Sequence, residues 1–175
     1  MSTIAEFRAA LKGGGARANR FEVIIEFPAF AASAEAIRKT PFLCSSAQLP
    51  GSTLGVVEQP FRGRFLKLAG DRTYDEWAVS FLNDTDFALR DAFERWHNGI
   101  NSYNTNVGIS SPQEYMSTVL VYQLDSNDNR IKEYRLNMAW PMNIAPIEVA
   151  QEQNDTIEMF EVSFAYSDMG SNTTT

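Results

Sequence analysis

A chain of 175 residues with 44% hydrophobic and 12% aromatic side chains can build one domain with a real core. That leaves little room for a second domain or for long intrinsic disorder. A net charge of −7 argues against a protein that grips nucleic acid by its phosphates, and a single cysteine excludes an internal disulfide framework. No run approaches the roughly 20 apolar residues of a membrane helix, and the first residues lack a signal-peptide pattern. The expected product is a soluble protein made in the cytosol.

In chain order, residues 1–19 read as an arm: Ile4, Phe7 and Leu11 form a short amphipathic stretch ahead of Gly13-Gly14-Gly15, a flexible joint. Such an arm cannot bury three apolar residues alone, so it needs the domain or a neighbour. The first strand covers residues 21–27, with Phe21, Val23, Ile25 and Phe27 on one face and Glu22, Ile24 and Glu26 on the other. Pro28 stops it. Residues 33–39 suggest a short helix ending before Pro41, and 42–49 a weak strand closed by Pro50-Gly51.

Residues 52–69 are basic and interrupted by Gly55, Pro60 and Gly63, which reads as a long hairpin or extended loop. Trp77, Val79 and Phe81 then alternate as a strand. The main helix is expected at about 85–98, with N-cap candidates in Asn83-Asp84-Thr85-Asp86 and an apolar stripe of Leu89, Ala92, Phe93, Trp96 and Ile100. Residues 101–114 read as a loop. Strands follow at 117–124 and 130–138, joined by the turn residues 125–129, and a last strand covers 156–166.

Seven to nine short strands with one helix predict a mainly β fold: two packed antiparallel sheets, sandwich or barrel, with that helix outside. The expected organisation is an arm at 1–19, one β domain at 20–168 and a flexible Thr-rich tail at 169–175.

The residues that carry chemistry elsewhere are scarce. His97 is the only histidine, which excludes a histidine-rich metal site within one chain, and its place in the last helical turn suits the helix dipole. Cys44 sits in the apolar run Phe42-Leu43-Cys44, where an inert thiol is the default. Aligning Asp125 with the start of a calcium loop puts Arg130 at the required glycine and Leu136 at the bidentate glutamate, so the segment is a turn. No catalytic residue, metal or cofactor is expected.

Charge is unevenly spread. Residues 1–72 hold 10 Lys/Arg against 6 Asp/Glu, whereas residues 73–175 hold 5 against 16. A cationic and an anionic face of this kind suit head-to-tail assembly, with chance placement on a solvated surface as the other reading.

The stretch Leu68-Ala69-Gly70-Asp71-Arg72-Thr73-Tyr74-Asp75-Glu76-Trp77, followed by Val79 and Asn83-Asp84, closely resembles a segment of the tail tube proteins of contractile-tailed phages. The end is similar to the same family: Trp140-Pro141, Asn154-Asp155, Ile157 and Phe160-Glu161-Val162. Arg17-Ala18-Asn19-Arg20-Phe21 and Leu49-Pro50-Gly51 resemble its early part.

The resemblance implies two packed sheets and a flanking helix, six copies per ring, and rings stacked into a hollow tube inside a contractile sheath. It implies a structural virion protein, assembled in the host cytoplasm, whose partners are itself and the sheath, baseplate and tape-measure proteins. DNA would pass through without sequence-specific binding, helped by an acidic lumen that repels phosphate. On this view residues 52–73 and the arm make the inter-ring contact, through Ile4, Phe7, Leu11, Arg62, Arg64, Lys67, Asp71 and Arg72. A tube of a related injection or secretion machine, a baseplate or tube-terminator paralogue, and a small enzyme or carbohydrate-binding sandwich stand as alternatives.

Overall fold

In the computed structural model, residues 3–11, 13 and 15–174 are described; Gly14 of the expected joint and Thr175 of the expected tail lie outside the described residues. In chain order the elements are α1 (Ile4–Ala10), β1 (Phe21–Ile25), α2 (Ala34–Leu43), β2 (Cys44–Ala47), β3 (Thr53–Phe61), β4 (Arg64–Thr73) and β5 (Trp77–Leu82). Then come α3 (Ala88–Ile100), α4 (Pro112–Tyr115), β6 (Ser117–Leu124), β7 (Arg130–Ile144), β8 (Met159–Ala165) and β9 (Asp168–Ser171).

The fold is mainly β and antiparallel throughout, with two sheets of unequal size. The larger runs β1-β6-β7-β8-β5-β2 with β9 added on β7, and it does not close into a barrel; the smaller is the two-stranded ribbon β3–β4. Strand β7 serves two partners in succession. Arg130–Ala139 pairs with β6, and Trp140–Ile144 pairs with β8. Between them Met138 takes a left-handed backbone conformation (φ 53°), and the register shifts on both sides bend the strand.

The period-2 pattern of the sequence sends Val23, Ile25, Val119, Val121 and Leu136 from one half of this sheet, and Trp77, Val79, Phe81, Phe160, Val162 and Phe164 from the other, into one core. Helix α3 contributes Leu89, Ala92, Phe93 and Trp96, all buried. Phe93 and Trp96 bridge the halves, lying 5.2 and 5.6 Å (ring centroids) from Phe27 and 6.0 Å from Phe164. The Trp96 indole N–H donates to the Tyr115 carbonyl at 2.7 Å, which satisfies the polar atom of a buried ring.

Several local expectations differ from the structure. None of Asn83–Asp86 caps α3; its N-cap is Phe87, left-handed at φ 52° with no side-chain capping bond. Asp84 and Asp86 instead hold Lys39 of α2, the latter at 3.2 Å, a tertiary pairing that competes with capping. Helix α2 runs through Pro41 to Leu43 because a proline in the last turn forfeits only one backbone bond. Thr40, fully buried just before it, donates its hydroxyl to the Ala36 carbonyl at 2.7 Å.

Strand β7 continues past Met138, and β8 begins later than residue 156, with residues 151–158 forming turns and irregular chain. Lastly, residues 169–171 of the expected tail belong to β9, paired with Tyr134–Leu136. Ser171 is buried there, its N–H donating to the Thr174 hydroxyl at 2.9 Å. A weakly apolar segment gains order here from ladder bonds to a strand already in place.

Candidate assembly surface

The ribbon is where side-chain chemistry and packing part company. Every residue of β3, and every residue of β4 except half-buried Gly70, is exposed on both faces. Yet it carries Leu54, Val56, Val57, Phe61, Phe65, Leu66 and Leu68, all large and open to solvent. Its tip is a two-residue turn, Arg62-Gly63, with both φ positive (46° and 82°), the geometry that matches the twist of a tight hairpin. Near the root, Gly55 and Gly70 face each other so closely that a Cβ on Gly70 would lie 3.2 Å from the Gly55 carbonyl. The nine residues of β3 give the ribbon a reach of about 30 Å.

Cross-strand pairing sorts the side chains. One face carries Val57 opposite Leu68, Gln59 opposite Leu66 and Phe61 opposite Arg64. The other carries Val56 opposite Ala69, Glu58 opposite Lys67 and Pro60 opposite Phe65. Residues near the root are tied down: Arg72 donates to the Ser52 hydroxyl at 2.5 Å, the Tyr166 hydroxyl donates to the Gly51 carbonyl at 3.3 Å, and Tyr74 packs on Tyr166.

The eight residues singled out by sequence therefore divide. Lys67 is taken up by Glu58 at 3.4 Å and Arg72 by Ser52, both within the ribbon and its root. Asp71 lies in the bulged section opposite Gly55. Arg62 and Arg64 at the tip have no carboxylate partner among the described residues, and Arg62 stacks over the Phe61 ring at 5.3 Å. Ile4, Phe7 and Leu11 sit apart from the ribbon on and just after α1, all exposed.

That helix is held locally. Thr3 and Glu6 form a reciprocal capping box, the Thr3 N–H donating to Glu6 Oε2 at 2.7 Å and the Glu6 N–H to Thr3 Oγ1 at 3.3 Å. Seven residues with nothing buried are nonetheless too short to persist alone. The ribbon's apolar residues give no alternating signal along the sequence. Val56 and Val57, like Phe65 and Leu66, are adjacent and point to opposite faces, and Gly55, Pro60 and Gly63 interrupt the run.

The rest of the molecule offers little reactive chemistry. The His97 ring lies beside Tyr103, with Nδ1 3.2 Å from the hydroxyl. Burial pushes the Cys44 thiol up to about 12, far from the thiolate a nucleophile needs. Asp125 accepts from the N–H groups of Asn127 and Asn129 at 2.7 and 2.9 Å, and these bonds to the Asn129 and Asn127 backbone and the Asn129 side chain hold its carboxyl below the usual range. Among the described residues no His/Cys/Asp/Glu group is arranged to hold a metal, and no helix is long and apolar enough to cross a membrane.

The family model described as phage tail tube protein matches residues 16–170. The chain is 34% identical over 168 residues to the tail tube protein of Serratia phage KSP90, covering 95% of each chain. It is 28% identical to tail tube protein gp19 of Enterobacteria phage T4, covering 90% of this chain and 93% of that one. Its fold is similar to a chain in the extended sheath-tube complex of an extracellular contractile injection system (TM-score 0.63, 11% identity, 98% and 99% covered). This chain belongs to the phage tail tube protein family and is a structural subunit of a tail tube.

Proposed function

We propose that the subunit forms rings, six copies to a ring, that stack into a hollow conduit for DNA within a contractile sheath, and that it acts without catalysis. The observation that carries this reading is the ribbon: two strands with apolar side chains exposed on both faces. A lone two-stranded hairpin is marginal in water, so this one is built to be covered by something else. The arm repeats the argument on a smaller scale, since Ile4 and Phe7 are largely exposed and Leu11 is only partly covered within the described chain. Ribbon and arm together make the inter-ring contact. The partners are further copies of the chain, with the sheath, baseplate and tape-measure proteins around and within the tube, assembled in the host cytoplasm.

Purified protein at high concentration, imaged by negative-stain electron microscopy with light scattering on the same sample, should give six-fold rings or long hollow tubes. The Arg62→Glu/Arg64→Glu double variant should remain a folded subunit by circular dichroism and fail to stack. Normal tubes from that variant would overturn the role given to the ribbon.

A further inference from the structure

The ribbon leaves the body of the molecule through a break in an otherwise continuous hairpin. Strands β2 and β5 pair up to Ala47 opposite Val79, and β3 and β4 take the pairing up again at Thr53 opposite Thr73. Between these pairs run two legs of unequal length, residues 48–52 entering the ribbon and 74–76 leaving it. Unequal legs share no regular ladder, and neither ribbon strand pairs with the large sheet. Backbone pairing therefore leaves the ribbon's direction open.

Side chains close it. The buried Trp77 indole N–H donates to the Gln48 carbonyl at 2.6 Å, which ties the base of the entering leg to the core. Tyr166 reaches both legs. It continues the inward row of Phe160, Val162 and Phe164 past the end of β8, and Phe164 lies opposite Trp77 in the antiparallel register. The residue two places on therefore comes beside the leaving leg. Its ring packs against Tyr74 of that leg, 5.4 Å between centroids, and its hydroxyl donates to the Gly51 carbonyl of the entering leg at 3.3 Å. Burial, and then the nearby Asp75 carboxylate, pushes the pKa of this hydroxyl up, so it stays a donor at neutral pH.

We propose that Tyr166 is a positioning residue for assembly: by holding Gly51 on one leg and Tyr74 on the other, it aims the ribbon before a second subunit is met. This rests on the ribbon being an inter-subunit contact and adds what sets its direction. A hairpin already pointed the right way loses less freedom on docking, so more of the free subunits are competent to stack.

The test reads direction and assembly separately, in the full chain with Cys44→Ser. Spin labels on Gln59→Cys in the ribbon and Asp91→Cys in α3 report their separation in the free subunit by pulsed electron resonance. The parent should give one narrow distance distribution. Tyr166→Ala should broaden it and raise the concentration needed for tubes roughly tenfold, as a competent fraction cut to about a tenth requires. Where Tyr166→Ala folds poorly by circular dichroism, Tyr74→Ala, outside the core, carries the same expectation. Tyr166→Phe keeps the ring and loses only an exposed hydrogen bond that water replaces, so it should stay within about twofold of the parent.

A distribution as narrow as the parent's in Tyr166→Ala and Tyr74→Ala overturns the aiming role, whatever the tubes do. Broadening with tubes at the parent's concentration overturns its part in assembly. The Arg62→Glu/Arg64→Glu variant then separates the two readings. If it also assembles normally, the ribbon itself is not the contact; if it is arrested, the contact stands and only the role of Tyr166 falls.

Discussion

Strand β5 and the β3–β4 ribbon carry apolar side chains in similar supply, but their fates are opposite. Trp77, Val79 and Phe81 are 2%, 1% and 0% exposed, whereas Phe61 and Phe65 are 67% and 65% exposed. The difference lies in what the fold supplies on the other side. Strand β5 has β8 and β2 at its edges and Phe93 against Phe81, so its apolar face is desolvated within one chain. The ribbon has only itself. Hydrophobic pattern states that a surface must be covered; it does not state by which molecule.

Breaking the first half of this comparison should have the largest effect. Trp96→Ala removes a fully buried ring that touches both halves of the core, and should cost about 3–5 kcal/mol, a large share of the stability of a single domain. Urea unfolding of the free subunit would measure it; a loss below about 1 kcal/mol would mean that the helix is not integral to the core.

The second half sharpens the contrast. Phe61→Ala and Phe65→Ala should change subunit stability by no more than roughly 0.5 kcal/mol, since both rings are largely exposed and lie outside the core, while lowering tube yield. Equal losses of subunit stability from the core and ribbon variants would erase the distinction between the two regions.

The Asp125 turn at the end of β6 tests a smaller, local stabilisation that needs no partner. Its carboxyl is held below the ordinary value, so its contribution is fully present above the unfolded pKa of about 4 and is lost as pH falls through the lower folded value. The stability gap between the parent and Asp125→Ala should therefore be widest near neutrality and close in acid. A gap independent of pH would show that the carboxylate's charge is irrelevant to the turn.

The smallest effect is chemical. With its pKa pushed up to about 12 by burial, Cys44 should react slowly with thiol reagents at neutral pH in the folded subunit and rapidly in urea. A cysteine placed at Phe61 should react quickly in the free subunit and slowly in tubes. Fast labelling of Cys44 in the native subunit would contradict its burial.

Much of this molecule was legible because its signals are local. Alternation in 21–27, 77–81 and 160–166 marked strands that the fold realises as Phe21–Ile25, Trp77–Leu82 and Met159–Ala165, and the stripe Leu89, Ala92, Phe93, Trp96 marked α3, since side-chain period follows directly from backbone geometry. The contact surface was legible only in part. Arg62 and Arg64 stood out as charges, while the pairing of Lys67 with Glu58 and of Arg72 with Ser52 depends on a register that appears only when the ribbon closes.

By itself, then, the sequence determined the fold class, the core faces of the strands and helix, and, through its family motifs, the tail tube assignment. Tertiary structure alone decided that Asp84 and Asp86 serve Lys39 instead of capping α3, that 169–171 join β7, and that Pro112, Met116 and Met138 meet in one groove. The reason is the same in each case: these partners are separated along the chain by tens of residues, and no periodicity or local propensity encodes which distant group a side chain will meet once the strands have paired.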